Sequence, residues 1–480
     1  MGNGWKKAGL VGLGAVLGLL LSLNFSAMAE KEAKLPIPYD DLQLFSAVFG
    51  RIKSDYVEAV PDDKLIREAI NGMVHGLDPH SDFLDADAFK ELQVSTQGKF
   101  GGLGIEVGVE DTIIKVISPI EDTPAYRAGI KAGDLIVKID DIATRGMALS
   151  EAVQKMRGKP GTQIVLTVAR KDVDTPITFT LTREEFVVKS VKYKMLEPGY
   201  GYIRIRQFQE RTGEDLARAI RDLYKDGPLT GLVLDVRTDP GGLLPTAVGV
   251  SAAFLPKDAL VVYTDGRTPD ARMRLSASRE NYMRSRGDDY LRDLPAGVKS
   301  VPMIVLVDGG TASASEIVAG ALQDHKRALV MGSQTFGKGS VQTILPLGQN
   351  TGLKLTTARY YTPAGRSIQA KGIEPDIMID DGRESASRLR EANLEHHLEV
   401  PGAPGAVGQP DAALSTKTKV AVAAPKTDGK SAAAKVDAEA LPPRFEFGAP
   451  EDFQLKQAIN QLKGLPINSS NRTVSAQVKP

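Results

Sequence analysis

The chain has 480 residues, enough for about two or three domains, and its 60 lysine and arginine residues balance 60 aspartate and glutamate residues. A net charge of zero gives no general attraction to nucleic acid, so we expect no nucleic-acid partner. There is no cysteine, which excludes disulfides, thiolate metal sites and a cysteine nucleophile.

The first 29 residues have the features of a targeting segment. Lys6 and Lys7 precede an apolar run from Leu10 to Leu23, and Ala27-Met28-Ala29 provides a small-residue cleavage site. We predict a signal peptide over residues 1–29, and hence export to the periplasm. Because the apolar run is long for a signal peptide, an uncleaved anchor in the inner membrane is the alternative.

Residues 36–99 are predicted to form a helical region. An apolar stripe at helical spacing begins it, and a second helix is predicted from Asp62 to His75, ending at Gly76. The stripe consists of Leu42, Leu44, Phe45, Val48, Phe49 and Ile52. His75 and His80 lack paired ligands at metal spacing, so we expect helix-end and turn roles for them and no metal site.

Residues 100–190 are predicted to form a small β-rich module. Its strands are predicted at Ile113–Ile117, Leu135–Ile139 and Gln163–Ala169, with a helix at Leu149–Met156. The glycine loop that opens the module, with Pro124-Ala125 and Ala128–Asp134 downstream, resembles that of a PDZ domain. The resemblance implies that backbone N–H groups of this loop bind the carboxylate of an extended C-terminal peptide. The residues it implicates are Gly102, Leu103, Gly104 and Ile105. A plain β-turn formed by the glycines is the alternative reading.

Residues 191–386 are predicted to form a larger α/β core. Strands at Tyr202–Ile205 and Gly231–Val236 flank a helix from Gly213 to Tyr224. The second strand leads into a Thr-Asp-Pro-Gly-Gly turn that ends at Gly241 and Gly242. Glycine at such a turn allows another backbone to approach closely.

The segment from Val301 to Thr343 concentrates the reactive side chains. A buried strand at Ile304–Val307 leads to a turn, and Ser313 and Ser315 lie where the next helix begins. Free N–H groups and the helix macrodipole at such a position stabilise an oxyanion, although a serine there also serves as a plain helix cap. His325 lies at the far end of the helix. A strand at Ala328–Met331 and a glycine-rich loop follow, and Lys338 in that loop is the available base.

Residues 311–322 together with residues 335–342 resemble the active-site region of the carboxy-terminal-processing, or tail-specific, protease family. The resemblance implies that Ser313 is the nucleophile, Lys338 the general base and Gln342 the residue that orients the lysine, with Ser315 structural. The Asp-x-Arg-x-x-Pro-Gly-Gly pattern at residues 235–242 also resembles a signature of the family. It implies an oxyanion hole formed by Gly241 or Gly242 together with Ala314.

The chemistry of these residue types agrees with the implied roles. A free lysine has a pKa of about 10.4, and burial lowers it by up to roughly 3–5 units, as a general base requires. The neutral amide of Gln342 would hold the amine without stabilising its charged form. The loop from Gly332 to Gly339 imitates a phosphate-binding loop, but Gly339 replaces the final hydroxyl residue and a strand-like segment follows, so we reject a nucleotide site.

The resemblance covers nearly the whole of residues 36–380, and the linker and the terminal helix lie outside its strongest part. It implies that the N-terminal helical region supports self-association, that Arg157 couples peptide binding to activity, and that an adaptor protein is needed by some relatives. Beyond the core, residues 399–441 are rich in Ala, Pro, Gly, Lys and Ser, which predicts a disordered linker, and residues 451–465 are predicted to be a terminal helix.

The predicted architecture is therefore a multidomain α+β / α/β chain. It has a helical N-terminal region, a PDZ domain before an α/β protease core, and a C-terminal linker with a helix. The predicted function is that of an exported serine endopeptidase that binds the C-terminal tails of its protein substrates and needs no cofactor. A non-catalytic PDZ scaffold is the alternative. A trypsin-like protease with a His–Asp–Ser triad is excluded, because its histidine would have to lie in a β-barrel upstream of the PDZ module, where a helical region is predicted instead, and because its Gly-x-Ser-Gly-Gly loop is absent.

Overall fold

The computed structural model describes residues 38–110, 112–171, 173–283, 287–348, 350–379, 389–400 and 447–469. The predicted signal peptide or membrane anchor lies outside the described residues, and so does the predicted linker except for its first two residues. Among the helices of the described residues, none has the length and apolarity to cross a membrane. The chain divides into two units, residues 1–70 and residues 71–480.

The secondary structure of the described residues has the following bounds. The helices are α1 Tyr39–Asp55, α2 Asp62–His75, α3 Ala86–Gln97, α4 Pro124–Arg127, α5 Leu149–Met156, α6 Thr212–Leu223, α7 Leu244–Phe254, α8 Arg279–Tyr282, α9 Ala314–Asp324 and α10 Phe453–Leu462. Short 3₁₀ helices span Pro269–Ala271, Ala296–Lys299 and Glu391–Asn393. The strands up to the core are β1 Asp82–Leu84, β2 Lys99–Gly102, β3 Ile105–Glu110, β4 Ile113–Pro119, β5 Leu135–Ile139, β6 Ile142–Ala143, β7 Gln163–Ala169, β8 Ile177–Thr182 and β9 Glu184–Val187. The strands of the core are β10 Val191–Glu197, β11 Tyr200–Ile205, β12 Gly231–Asp235, β13 Leu260–Gly266, β14 Arg274–Ser276, β15 Met303–Val307, β16 Leu329–Gly332, β17 Ser340–Gly348, β18 Thr351–Tyr361 and β19 Ile377–Met378.

The N-terminal region is mainly helical, as predicted, but it is not helical throughout. Strand β1 interrupts it, because residues 82–84 pair antiparallel with β18 of the core, and β2 begins at Lys99. Helix α2 has the predicted bounds of Asp62 to His75. Helix α1 has no buried residue, so its apolar stripe, which includes Leu42, Phe45 and Val48, is exposed.

Residues 100–190 form the predicted β-rich module. Its antiparallel sheet has the order β3-β4-β5-β7-β8, and α5 packs on it to close a small apolar core. Strands β5 and β7 and helix α5 have the predicted bounds, and β4 extends the predicted Ile113–Ile117 strand to Pro119. Strand β3 lies at the edge of the sheet and pairs only with β4 among the described strands. Strand β9 leaves the sheet and pairs with β2.

The core is built on a six-stranded sheet in the order β10-β11-β12-β15-β16-β19. Strands β11, β12, β15, β16 and β19 run parallel, and β10 is antiparallel at one edge. Side chains alternate between the two faces with a period of two. Leu232, Leu234 and Val305 pack on one face with α6, α7 and α9, whereas Val233 and Ile304 pack on the other face with α10. Because both faces are covered, these strands are apolar throughout, without alternation in the sequence.

The terminal helix lies on the chain's own core sheet. Helix α10 is shorter than the predicted 451–465 segment, and it buries Leu455, Ala458 and Ile459 against β12, β15 and β16. Burial of each large apolar side chain contributes roughly 1.5–3 kcal/mol. Asp452 caps the helix by accepting from Leu455 N at 3.0 Å.

A buried ion cluster fastens α10 to the loop after β12. The two oxygens of Asp452 accept from Arg237 Nη1 at 2.9 Å and from Nη2 at 2.6 Å. The same guanidinium donates to both oxygens of Asp235, and Tyr202 Oη donates to Asp235 at 2.7 Å. Although burial acts to raise the pKa of Asp235, the charges of Arg237 and Arg204 outweigh it and lower that pKa to about 2.

We predict that Asp452→Ala destabilises the core by about 3–5 kcal/mol, because it removes one partner of a buried charge and a helix cap together. Urea unfolding followed by tyrosine fluorescence measures the loss. The exposed neighbour Glu451 gives the matched control, and Glu451→Ala should change the free energy of unfolding by less than 0.5 kcal/mol, roughly the range of surface substitutions. Equal free energies for the two variants would contradict this account of the cluster.

Candidate active site

Three loops that follow neighbouring parallel strands meet at one edge of the core sheet. Residues 236–243 follow β12, residues 308–313 follow β15, and residues 333–339 follow β16. Carboxyl ends of parallel strands share one edge, which is where open α/β sheets place their sites. The first loop carries the glycine turn, the second carries Ser313 and the third carries Lys338. The glycine turn, Ser313 and Lys338 therefore lie on loops that meet at one edge of the sheet. We call residues 333–339 the lysine loop.

Hydrogen bonds between these loops fix their mutual positions. Ala312 N donates to Asp239 O at 2.9 Å, and Thr311 Oγ1 donates to Val236 O at 2.9 Å, so the serine turn is tied to the glycine loop. Phe336 N donates to Thr311 O at 3.0 Å, which ties the lysine loop to the serine turn. The three loops therefore act as one braced unit.

The structure distinguishes the two serines of the turn. Ser315 is fully buried, and its Oγ donates to Asp239 O at 3.1 Å, which is a structural role. Ser313 is partly exposed at the N-terminus of α9. Its φ of 55° is a left-handed backbone conformation that residues other than glycine rarely adopt. Strained backbone of this kind concentrates at functional sites. Of the two, Ser313 is the serine available for chemistry.

The carboxylate of Glu316 joins the serine turn to the lysine loop. Its Oε2 accepts from Ser313 N at 2.8 Å and from Lys338 N at 2.9 Å. Its Oε1 accepts from Gly337 N at 2.7 Å and from Thr335 Oγ1 at 2.6 Å. Glu316 is fully buried, and this burial raises its pKa to about 7, against the four hydrogen bonds that favour the anion. One oxygen atom thus positions the backbones of both predicted catalytic residues.

The surroundings of Lys338 lower the pKa of its side-chain amine. Burial and the like charge of Lys354 lower the pKa of Lys338 to about 8, although Glu391, Glu316 and Asp78 act in the opposite direction. Its Nζ forms no hydrogen bond or ion pair with any residue that the structure describes. Its backbone carbonyl accepts from Tyr360 Oη. A lysine with a pKa near 8 is partly neutral at physiological pH, as a base must be.

Gln342 lies on β17, which follows the lysine loop, but no hydrogen bond joins its side chain to the lysine amine. Its Nε2 donates to Ser340 Oγ at 3.1 Å and to Thr356 Oγ1 at 3.2 Å. Within the described residues its Oε1 accepts no hydrogen bond, so this oxygen is the atom that could accept from Lys338. Its orienting role stays a prediction.

The structure distinguishes the N–H groups of Gly241 and Gly242, which the sequence left as equal candidates for an oxyanion donor. Gly241 N donates to Asp239 Oδ1 at 2.8 Å, so this N–H group is already used. Gly242 N and Ala314 N have no acceptor among the described residues. A Cβ at Gly241 would lie 2.7 Å from Ala314 N, so the turn passes directly over the serine's neighbour and only glycine fits. Gly242 and Ala314 are the N–H pair available for an oxyanion.

Asp239 and Tyr360 are site residues that the sequence analysis did not single out. Burial raises the pKa of Asp239 well above its usual range, and its Oδ2 is buried without a partner among the described residues. Tyr360 is buried beside the Ser313 hydroxyl, and burial raises its pKa. Asp239 lies within the Asp-x-Arg-x-x-Pro-Gly-Gly pattern, but that pattern indicates a role only for its glycines. No sequence pattern marks Tyr360, since a buried tyrosine is common in a strand.

The turn after α2 is a further part of the site that the sequence did not predict. Asp78 accepts from Ser81 Oγ at 2.7 Å and from Thr356 Oγ1 at 3.0 Å, beside Gln342.

The histidines named in the sequence analysis make separate contacts. His80 Nε2 lies 2.8 Å from Glu391 Oε2, and His75 Nε2 lies 3.1 Å from Asp82 Oδ1. Over the described ranges no three acidic or histidine side chains converge as a metal ion would require. His325 bonds to Leu260 O at the other end of α9.

The loop of the β-rich module that is predicted to bind a peptide lines a groove of about 750 Å³. Leu103 O and Gly104 O accept from Ala125 N and Ile120 N, whereas Leu103 N and Gly104 N have no acceptor in the described part of the chain. Gly104 has φ 75°, and a Cβ there would lie 2.2 Å from Thr123 Cβ, so the loop requires glycine. Val153 and Met156 of α5 line the same groove. Ile105 begins edge strand β3.

Comparison with known proteins gives three family matches along the chain. Residues 199–379 match the model of peptidase family S41, and residues 115–170 match that of the PDZ domain. Residues 15–88 match the N-terminal domain of the activating protease CtpB. A carboxy-terminal-processing protease of Bartonella bacilliformis is 49% identical over 370 residues, which cover 76% of this chain and 81% of that protein. The chain belongs to this family.

Other relatives have the same family character. A probable CtpA-like serine protease of Staphylococcus aureus is 37% identical over 341 residues, and the match spans 71% of this chain and 65% of that protein. Among solved structures, the photosystem II D1 C-terminal processing protease is 31% identical, with coverage of 70% of this chain and 86% of that one and a TM-score of 0.41. The family matches and the Bartonella relative show a carboxy-terminal-processing serine peptidase, with a PDZ domain ahead of an S41 core.

We predict that the buried Glu316 makes the stability of this protease depend on pH. Its pKa of about 7 exceeds the value of 4.5 for an unperturbed glutamate, so the folded chain binds more protons between these values. Stability should therefore fall as the pH rises from 4.5 to 7, by about 1.4 kcal/mol per pH unit at most. Urea unfolding at pH 5 and pH 8 tests this.

The variant Glu316→Gln has no such proton, so part of the pH dependence should disappear. The exposed Glu374 provides the control, since Glu374→Gln should keep the wild-type dependence. Identical pH slopes for wild type and Glu316→Gln would show that Glu316 is ionised throughout this range.

Proposed function

We propose that the chain is an exported endopeptidase that cleaves proteins selected by their C-terminal tails, with Ser313 as nucleophile and Lys338 as general base. The observation that carries the proposal is the Glu316 carboxylate, one oxygen of which holds both Ser313 N and Lys338 N. A serine and a lysine on separate loops are thereby kept at one place. The lowered pKa of Lys338 supports its role as the base.

The reaction begins when Ser313 Oγ attacks the carbonyl carbon of the scissile peptide bond and its proton passes to neutral Lys338 Nζ. The carbonyl oxygen becomes an oxyanion, which Gly242 N and Ala314 N stabilise; loss of one such donor typically costs about 10²–10³ in rate. Lys338 then gives the proton to the leaving amine, and an acyl-enzyme remains. Lys338 next takes a proton from water, whose oxygen attacks the acyl carbon, and it returns that proton to Ser313 Oγ as the acyl–oxygen bond breaks and the product acid leaves. Every proton is accounted for by this one amine.

Tail recognition is proposed for the PDZ domain. Leu103 N and Gly104 N are free to bind a peptide carboxylate, and the peptide would add to the open edge of β3 as an extra strand. Val153 and Met156 on α5 give the groove an apolar wall, which suits apolar terminal side chains. The substrate class is therefore protein chains with an accessible, apolar C-terminal tail.

Arg157 is proposed to couple tail binding to activity. It ends α5 beside the groove, and its Nη1 forms an ion pair with Glu91 on α3. Helix α3 packs on β1 and on β18, the strand that holds Lys354, Thr356 and Tyr360. If α5 shifts when a peptide binds, this ion pair would transmit the movement through α3 to β18. The pair is half exposed, so its contribution to stability is small.

Self-association and export complete the proposal. The exposed apolar stripe of α1 supports a homo-oligomer, because apolar side chains that line one face of a helix and stay exposed mark an interaction surface. Lys6, Lys7 and the apolar run that follows support export to the periplasm, either cleaved or as an inner-membrane anchor. An adaptor protein that presents substrates remains part of the proposal.

We predict that the chain without residues 1–29 cleaves an unstructured test protein that ends in an apolar tail, whereas Ser313→Ala and Lys338→Ala lose activity by at least about 10³-fold. Gel electrophoresis and mass spectrometry of the products measure cleavage. Ser315→Ala is the matched control for the serine and should retain cleavage if folded. Binding of the tail by Ser313→Ala, measured by fluorescence anisotropy, should equal that of the wild type.

The same experiment separates the possible failures. Equal cleavage by wild type and Ser313→Ala would contradict the nucleophile assignment. Tail binding without cleavage by any form, with and without co-purified partners, would favour a scaffold that has lost its activity.

We further predict that kcat/KM rises about tenfold per pH unit below pH 8 and levels above it. Lys338 has a pKa of about 8 and acts only when neutral, so the active fraction grows as the pH rises. Cleavage of a fluorogenic peptide between pH 6 and pH 10 gives the profile. A rate that is constant from pH 6 to pH 9 would exclude this lysine as the base.

A further inference from the structure

A segment that follows the core in the chain lies against the lysine loop. We call residues 389–400 the strap; it contains the 3₁₀ helix Glu391–Asn393. Its hydrogen bonds to the loop and its surroundings are Arg390 Nη1 to Gln334 Oε1 at 3.0 Å, Arg390 Nη2 to Thr335 O at 3.1 Å and to Lys371 O at 2.8 Å, and Glu391 N to Phe336 O at 3.2 Å. The strap therefore holds the first half of the lysine loop from outside.

The carboxylate of Glu391 reaches the other half of the loop. Glu391 is fully buried, and its Oε1 accepts from Gln369 Nε2 at 2.8 Å. The other end of that amide, Gln369 Oε1, accepts from Gly339 N at 3.0 Å. Gly339 directly follows Lys338, and a Cβ on Gly339 would lie 2.3 Å from Gln369 N, so this contact is tight. The hydrogen bonds that link Glu391 to the backbone next to Lys338 therefore pass through a single side chain, that of Gln369.

The second oxygen of Glu391 binds the turn after α2. His80 Nε2 lies 2.8 Å from Glu391 Oε2, and the histidine side chain is largely buried at 16% exposure. A buried carboxylate needs donors on both oxygens, and here they come from two distant parts of the sequence. The strap, the N-terminal turn and the lysine loop thus share one carboxylate.

The charges around Lys338 come from four different elements. The carboxylates of Glu391, Glu316 and Asp78 raise its pKa, and among these three Glu391 has the largest effect. Burial and the ammonium of Lys354 act against them and lower the pKa. Tyr360 also faces the site, and Glu391 and Glu316 both help to keep its hydroxyl protonated. A change at Glu391 should therefore alter the charge of the lysine as well as its position.

We propose that Glu391 is a positioning residue of the proteolytic reaction, whose carboxylate holds the lysine loop through Gln369 and belongs to the charged groups that surround Lys338. The proposal rests on the proposed role of Lys338 as the general base. Neither the sequence motifs nor the family matches, which end at residue 379, include this residue. The active site then depends on docking of the strap and of the His80 turn on the core.

The pH profile of cleavage tests the proposal, with the chain lacking residues 1–29 as the parent protein. Glu391→Gln keeps the size of the side chain but removes the charge that favours the lysine ammonium. We expect kcat at pH 9 to fall about 10–100-fold, since small misplacement of a catalytic group has effects of this size. We also expect the midpoint of the acid limb to move to lower pH, with tail binding unchanged.

Two further variants give the comparison. Glu395→Gln makes the same change at an exposed position of the strap, and it should keep the wild-type kcat and midpoint. His80→Gln leaves the carboxylate of Glu391 in place, so kcat should fall without a shift of the midpoint to lower pH. If Glu391→Gln does not fold, the His80→Gln variant still tests the proposal, because a wild-type kcat in folded His80→Gln would overturn it.

The outcomes keep this proposal apart from the proposed function. A wild-type kcat and midpoint in Glu391→Gln would overturn the positioning role, and so would a lower kcat with an unchanged midpoint, which indicates a structural effect alone. If the Lys338→Ala variant still shows the acid limb of the pH profile, that result would instead overturn the role of Lys338 as the general base.

Discussion

The proposed active site of this protease depends on one buried carboxylate. Glu316 accepts two hydrogen bonds on each oxygen, and the donors belong to the serine turn and to the lysine loop. A buried charge is costly unless such donors compensate it, so the loops can hold this carboxylate only in the arrangement that also brings Ser313 and Lys338 together. The interaction that satisfies Glu316 is therefore the one that assembles the site.

The remaining elements brace this arrangement from several sides. The glycine turn passes over Ala314, Asp308 accepts from both Thr238 N and Thr238 Oγ1, and the Arg237 cluster ties the same loop to α10. On the lysine side, the strap and the His80 turn meet at Glu391. Segments from the N-terminal region, the core and the chain beyond it thus contribute to one site. Damage to any of them should reduce activity even where it leaves the serine and the lysine untouched.

The sequence predicted the parts of this structure that depend on local pattern. The bounds of α2, α5, β5 and β7 follow from periodicity and glycine breaks, and the βαβ unit with hydroxyls at its turn was recognisable for the same reason. The sequence could not separate Gly241 from Gly242, because only the fold shows that Asp239 uses one of the two N–H groups. Glu391, His80 and Tyr360 were missed because their partners are far away in the chain. Strand β1 was missed because three residues that pair with β18 carry too short a pattern.

The measurement that tests the central claim most directly is the location of the acyl group during turnover. The protease would be mixed with an activated peptide ester, quenched in acid and digested, and the acylated fragment would be sequenced by tandem mass spectrometry. The account predicts an acyl group on Ser313, formed faster as the pH rises through about 8, and its absence from Ser313→Ala. An acyl group on Ser315 or on another residue, with Ser313 unmodified, would contradict it.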